Sequence, residues 1–228
     1  MMSILSLSNF LTNTYRDICW KHIFCDAGLA VSTNQMPMGL VNRCNLIMVP
    51  EHYVEYDRMQ ICFPDKGDKL IGGTISYRSF PASLVSGIVF LEIHTNHLLE
   101  TTDAVSEIYI QFLREIIFRV NDSCKVIFKY TYEHLSNRYY DDISIASLPN
   151  IQSDFASIYV QLEKLALISQ HVFCIDDAIY FISTAIMALT ILVKLAGARS
   201  VLQHRSVELI YQLKLFKSFI GAALETNK

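Results

Sequence analysis

Charge is scarce in this chain. Only 18% of its 228 residues are charged while 52% are apolar, and the formal net charge is −3. There is no block of five or six like charges and no basic stripe interleaved with aromatics, so a nucleic-acid partner is not expected. Disulfide signals are missing too: the six cysteines, at 19, 25, 44, 62, 124 and 174, form no CxxC pair. That scatter favours reduced thiols in a cytoplasmic setting over a disulfide framework. The opening MMSILSLSNFL lacks the basic start and long apolar core of a secretory signal, although its serine and leucine content leaves a targeting role open. Internal repeats and low-complexity linkers are absent, and Trp20 is the single tryptophan. What remains is enough apolar sequence to fill a sizeable core.

The longest uncharged run, AIYFISTAIMALTILV from Ala178 to Val193, is bounded by Asp177 and Lys194. It falls short of the ~20 residues a membrane-spanning helix needs, so no membrane span is expected. A helix apolar all round needs neighbours on every side, in the middle of a bundle or at a subunit interface.

Between Ala27 and His94 short apolar runs alternate with turn formers such as DKGDK and GG, and four of the five prolines lie here. This is the pattern of a small β region. After TTDAVSE, where Thr102 or Asp103 can cap a helix, Ile108, Phe112, Ile116 and Val120 recur at helical spacing. The spacing predicts helices over 101–121, 122–140, 150–172, 176–197 and 206–224. The expected fold is mainly α, a short β segment followed by an up-and-down helical bundle. Its divisions are an N-terminal segment over 1–27, a partial β domain over 28–100 and the bundle over 101–228.

The stretch SNRYYDDISIASLPNIQSDFA, residues 136–156, carries a ladder. Counting from Arg138, Ile145 lies seven residues on, Leu148 ten, Gln152 fourteen, and Phe155 and Ala156 seventeen and eighteen. This resembles the acyl-CoA dehydrogenase family, whose C-terminal bundle carries R-x-x-F-G-x-x-I-x-x-F-Q-x-x-Q-x-x-L-A where two antiparallel helices meet. Three further stretches fit in order: Gly72 to Glu100 resembles the family's last β strands, Leu195 to Tyr211 its glycine-containing loop and last helix, and Ala30 to Pro50 the strand pair facing the flavin. The resemblance covers residues 28–228. It implies an acyl thioester substrate, flavin adenine dinucleotide (FAD) as cofactor, and a homo-oligomer or a hetero-oligomer with a related subunit. It also implies cofactor contacts from Arg138, whose guanidinium suits a neighbouring subunit's pyrophosphate, and from Gln152.

The sequence departs from that family in ways that bear on activity. The family's N-terminal helical domain and first strands have no counterpart, as in a truncated subunit working with a partner. The Phe-Gly after the ladder arginine is Asp141-Asp142 here, adding carboxylates where a pyrophosphate needs positive charge. The α-proton-abstracting glutamate maps onto Gly221 in one branch and onto Phe112, a turn from Glu115, in another. The Arg of the family's E-R pair after Glu208 is Leu209, and its R-D is Gln212-Leu213. No catalytic base is assigned, and two alternatives stand: a non-catalytic interaction module, and a flavin-independent enzyme reusing the cleft.

Plainer readings apply elsewhere. His94-x-x-His97 beside Glu92 sits on a strand and a turn, where the side chains diverge, so no metal is expected. Arg138 also suits the negative end of a helix, and Gln152 an exposed helix end. Asp176 and Asp177 read as a helix cap and a first-turn carboxylate. Cys124 and Cys174 read as unreactive thiols on apolar faces.

Overall fold

A computed structural model describes residues 20–32, 38–41, 46–50, 58–62, 69–72, 88–92, 98–101, 107–169, 174–197 and 206–225. Its longest element is a 30-residue helix, Glu107–Ser136 (α2). The predicted break at Asn121-Asp122 does not occur, so the helices expected over 101–121 and 122–140 are one. Asn121, Asp122 and Ser123 are residues that favour caps, but here each is absorbed by the helix. Asn121 turns into the core at 3% exposure, Asp122 faces solvent, and the Ser123 hydroxyl donates to the Arg119 carbonyl at 2.9 Å. Apolar residues on both sides supply an unbroken buried stripe from Tyr109 to Leu135.

Among the described residues there are four more α-helices: Trp20–Val31 (α1), Pro149–Ser169 (α3), Ile175–Ala196 (α4) and Ser206–Glu225 (α5). The last four helices in the chain form the up-and-down bundle, and α4 packs against α2, α3 and α5. That central place buries Ala178, Phe181, Ile182, Ala185, Leu189 and Leu192, which is why so apolar a sequence sits here. Among the described residues α4 is also the one helix long and apolar enough to cross a membrane by length and composition. Its 22 residues exceed the uncharged run because both ends are polar turns. At its start Cys174, not Asp176, is the cap. The Cys174 N–H donates to Asp177 Oδ2 at 3.2 Å, placing both aspartates in the first turn, where the helix dipole favours them. At its end Gly197 takes φ +61°, a conformation glycine adopts without strain.

The β region is a six-stranded sheet in the order β5-β2-β1-β3-β4-β6. The strands are Met38–Val41 (β1), Leu46–Pro50 (β2), Arg58–Cys62 (β3), Lys69–Gly72 (β4), Ile88–Glu92 (β5) and Leu98–Thr101 (β6). Neighbours run antiparallel except β1 and β3, which run parallel. Gly39 is required by the β1–β2 contact: a Cβ there would stand 2.7 Å from Val49 Cγ1 and 2.8 Å from Ile47 Cγ2.

One hydrophobic core runs from the sheet into the bundle. Helix α1, for which the sequence suggested no element, joins them. Phe24 meets Phe112 edge-on at 5.0 Å, and Arg119 of α2 reaches Asp26, with Nη1 3.4 Å from the carboxylate. On the other side Phe90 of β5 meets Phe219 of α5 at 5.6 Å.

Candidate functional site

The ladder residues gather at the end of the bundle where α2 turns into α3. After Ser136 the chain makes a two-residue hairpin, Tyr139–Tyr140 (β7) against Ile143–Ser144 (β8). A one-turn 3-10 helix, Ile145–Ser147, then leads into α3. The hairpin is fastened to the end of α2. The Ser144 hydroxyl donates to the Ser136 carbonyl at 3.1 Å, and the Ile145 N–H to the Arg138 carbonyl at 2.8 Å. The first bond satisfies a carbonyl that the helix end leaves open, and the second closes the base of the hairpin.

Asp141 and Asp142 form the hairpin's corner, with φ of +47° and +65°. Positive φ at both corner residues is what a tight two-residue hairpin demands, and aspartate tolerates it better than most residues. The two carboxylates that replace Phe-Gly are thus turn residues, exposed at the tip.

The ladder divides by polarity. Phe155 is 5% exposed and meets Phe128 at 5.4 Å and Tyr132 at 5.2 Å, both edge-on. Ile145 and Leu148 are half-buried, whereas Arg138 and Gln152 stay exposed. The Gln152 N–H donates to the Leu148 carbonyl at 2.9 Å, continuing the 3-10 turn into α3. Phe155, Ile145 and Leu148 hold the α2–α3 corner, while Ala156 and the polar rungs are exposed at the same end.

That end is far from the sheet. Phe112, which contacts α1, lies twenty-four residues before the end of α2, roughly 36 Å along the helix. Phe219, which contacts β5, lies thirteen residues, roughly 20 Å, from the start of α5. Arg138 therefore cannot reach a cleft beside the sheet of its own chain.

Neither glutamate position holds a base. Phe112 is fully buried in the core. Glu115, a turn away, faces Arg119, with Oε2 3.8 Å from Nε. Gly221 lies inside α5, its Cα facing Ile179 of α4. Leu209 and Gln212, in place of the family's arginines, are both buried, and the Gln212 amide donates to Glu208 Oε1 at 3.1 Å. His94 and His97 lie outside the described residues, and among the described residues no group of three or more His, Cys, Asp or Glu is gathered as metal ligands would be.

One polar pair has no signature in the sequence. Lys164 of α3 donates to the Tyr180 hydroxyl of α4 at 2.7 Å. Its Nζ is 5.3 Å from the ring centroid, and the two distances together put the ammonium beyond the hydroxyl rather than over the ring face. The hydrogen bond and the adjacent positive charge hold Tyr180 below its ordinary pKa of 10.0. The partners lie sixteen positions apart and meet only because α3 and α4 pack side by side. Cys174 is exposed at its cap, so it does not lie on an apolar face as expected. Cys124 does, and burial pushes its thiol up to about 12.

A sheet laid against one half of an antiparallel helical bundle recurs in solved structures. Among them is the Tcur3481-Tcur3483 steroid ACAD, with a TM-score of 0.61 and 12% identity over 83% of this chain and 60% of that one. The chain has the acyl-CoA dehydrogenase fold. The ChsE4-ChsE5 complex from Mycobacterium tuberculosis matches with a TM-score of 0.57 and 13% identity, over 84% of this chain and 61% of that one. A glutaryl-CoA dehydrogenase from Mycobacterium smegmatis, in complex with FADH2, matches with 0.51 and 13%, over 80% and 57%. The chain thus spans about 57–61% of the length of these acyl-CoA dehydrogenase structures. No protein-family model matches the sequence, and no curated protein does either.

Proposed function

We propose that the chain is a divergent acyl-CoA dehydrogenase-like subunit that contributes the hairpin end of its bundle to a site completed by a partner acting on an acyl thioester. The observation that carries this reading is that Arg138 lies at the hairpin end of the bundle, whereas Phe112 and Phe219, which meet α1 and β5, lie roughly 36 Å and 20 Å along their helices from that end. If Arg138 and Gln152 serve a cofactor, that cofactor is bound chiefly by another chain. The fold supports the reading, as do the hetero-complexes named for two of the similar structures.

Arg138 and Gln152 fit an FAD pyrophosphate in part. Both are exposed at one helix end, and a guanidinium binds phosphate oxygens in bidentate fashion, but the neighbouring corner carries Asp141 and Asp142. FAD would supply hydride acceptance. This chain's residues would orient the cofactor, and the general base would come from the partner, because Phe112 and Gly221 occupy both mapped positions. Cytoplasmic placement belongs to the same proposal.

The test is the visible absorption spectrum of the natively purified protein, followed by native mass spectrometry of whatever co-purifies. A flavin spectrum in a complex containing a second, larger subunit is the expected result. A colourless assembly made only of this chain would instead favour a non-catalytic interaction module. A colourless preparation that still converts acyl thioesters would favour a flavin-independent enzyme.

A further inference from the structure

Six tyrosines stand exposed on the described surface, Tyr132, Tyr139, Tyr140, Tyr159, Tyr180 and Tyr211, all between 46% and 68%. Exposure does not distinguish them, but hydrogen bonding does. Among the described residues Tyr180 alone of the six receives an ammonium on its hydroxyl, the Lys164 Nζ at 2.7 Å. The bond crosses from α3 to α4, so the packing of two helices holds the pair together.

What the pair can do follows from its donors and acceptors. An ammonium carries three N–H groups, and the Tyr180 oxygen takes one. Among the described residues no carboxylate pairs with Lys164, and Asp177, in the first turn of α4, accepts from the Cys174 N–H. Two donors thus remain on the ammonium, next to the phenol oxygen. The hydrogen bond from Lys164 and its positive charge favour the phenolate, which is the nucleophilic form. A nucleophile with a cationic donor at its side has the two parts that attack on a carbonyl needs. One supplies the electron pair, and the other holds the charge that moves onto the carbonyl oxygen.

We propose that Tyr180 and Lys164 form an acyl-acceptor site on the α3–α4 face, with a small acyl thioester as the donor. The Tyr180 oxygen attacks the thioester carbonyl, forming the new C–O bond, and Lys164 donates to the oxyanion. The intermediate then collapses with loss of the C–S bond, because a thiolate, with an ordinary pKa of about 8.5, leaves more readily than a phenolate, at about 10. The phenol proton passes through water to the thiolate, leaving a free thiol and an O-acyl tyrosine, and no electrons are gained or lost. The choice of a thioester rests on the acyl chemistry proposed above, whereas the reactive pair does not.

The test is to incubate the purified full chain with S-acetyl-N-acetylcysteamine, a small neutral thioester, and to map acetylated positions by mass spectrometry. Mapping is repeated after neutral hydroxylamine, which cleaves aryl esters and spares amides. The hydroxylamine-sensitive label should fall chiefly on Tyr180, with the other five tyrosines as internal references, and Tyr180→Phe should lose it. Lys164→Met should bring Tyr180 down to the references without changing them, and Lys164→Arg, which keeps a cationic donor, should retain the preference. Circular dichroism melts would establish that each variant is folded. N-acetylimidazole, which acetylates tyrosines without a thioester, separates the pair from its donor: a Tyr180 preference with that reagent and none with the thioester would overturn the donor assigned here. Ester spread evenly over the six tyrosines, a preference that survives Lys164→Met, or label found only as an amide on Lys164 would each overturn the site. The flavin spectrum and subunit composition are read on untreated protein, so either proposal can fail without the other.

Discussion

At the scale of single residues, the ladder shows what spacing reveals and what it conceals. The intervals located a helix-to-helix corner correctly, because apolar rungs such as Phe155 are held by packing that any sequence at that corner must supply. They did not tell whether Arg138 and Gln152 bind anything, since an exposed polar residue at a helix end looks the same with a ligand or with water. Cys124 was legible as a thiol on an apolar helix face, whereas the exposed Cys174 and the Tyr180–Lys164 pair, which joins two helices, were not. Iodoacetamide should label Cys174 in the native protein and leave Cys124 untouched until the chain unfolds, as peptide mapping by mass spectrometry would show. Because burial raises the Cys124 pKa from 9.0 to about 12, its protonated form is favoured by the fold. The associated stability is complete below pH 9 and falls as pH rises towards 12, by up to about 1.4 kcal/mol per unit. Tyr180 has the opposite sign. Its lowered pKa gives a stabilising contribution above its ordinary value, lost as pH falls through the depressed one, so nothing is gained at neutral pH. An absorbance titration at alkaline pH should show one tyrosine ionising early in the native protein and not in Lys164→Met. An unchanged titration curve in that variant would remove Lys164 as the cause.

At the scale of elements, helices and strands were legible where periodicity was strong and misplaced where a local signal competed with packing. Asn121-Asp122-Ser123 is a good cap in isolation, yet the apolar stripe of α2 continues through it, and burial along 30 residues outweighs a cap worth about 1 kcal/mol. Helix α1 escaped notice because, among its described side chains, the buried apolar ones are few, Ile23, Phe24 and Ala27, with Gly28 set against Met38. Asn121 records the cost of the continuous helix, since its Oδ1 is buried without a hydrogen-bond partner. Replacing a lone buried carbonyl by an apolar group of similar shape removes a desolvation penalty of about 1–3 kcal/mol. Asn121→Leu should therefore raise the thermal midpoint by several degrees. A clear drop in the melting curve would mean that the amide is satisfied by a partner, such as an ordered water, that the substitution evicts.

At the scale of the whole molecule, the fold sets the hairpin end of the bundle away from the sheet, and such a chain is expected to hold FAD poorly on its own. A dinucleotide lying beside this chain's sheet would be out of reach of Arg138, and one lying at the hairpin would meet Arg138 together with two carboxylates. Each ionised aspartate within several ångströms of a pyrophosphate costs on the order of 1 kcal/mol even at a high effective dielectric, so Arg138 does not offset the pair. The corner geometry dictates how to test this. Restoring the family's Phe at 141 would force a bulky residue into φ +47°, confusing backbone strain with electrostatics. Asn tolerates the same conformation and removes only the charge. FAD titrated into the purified chain, followed by flavin fluorescence, should bind weakly or undetectably. The Asp141→Asn/Asp142→Asn variant should bind at least tenfold more tightly, and adding Arg138→Ala should abolish that gain. Micromolar binding by the unmodified chain would refute the electrostatic account. A gain that survives Arg138→Ala would instead move the pyrophosphate away from the hairpin.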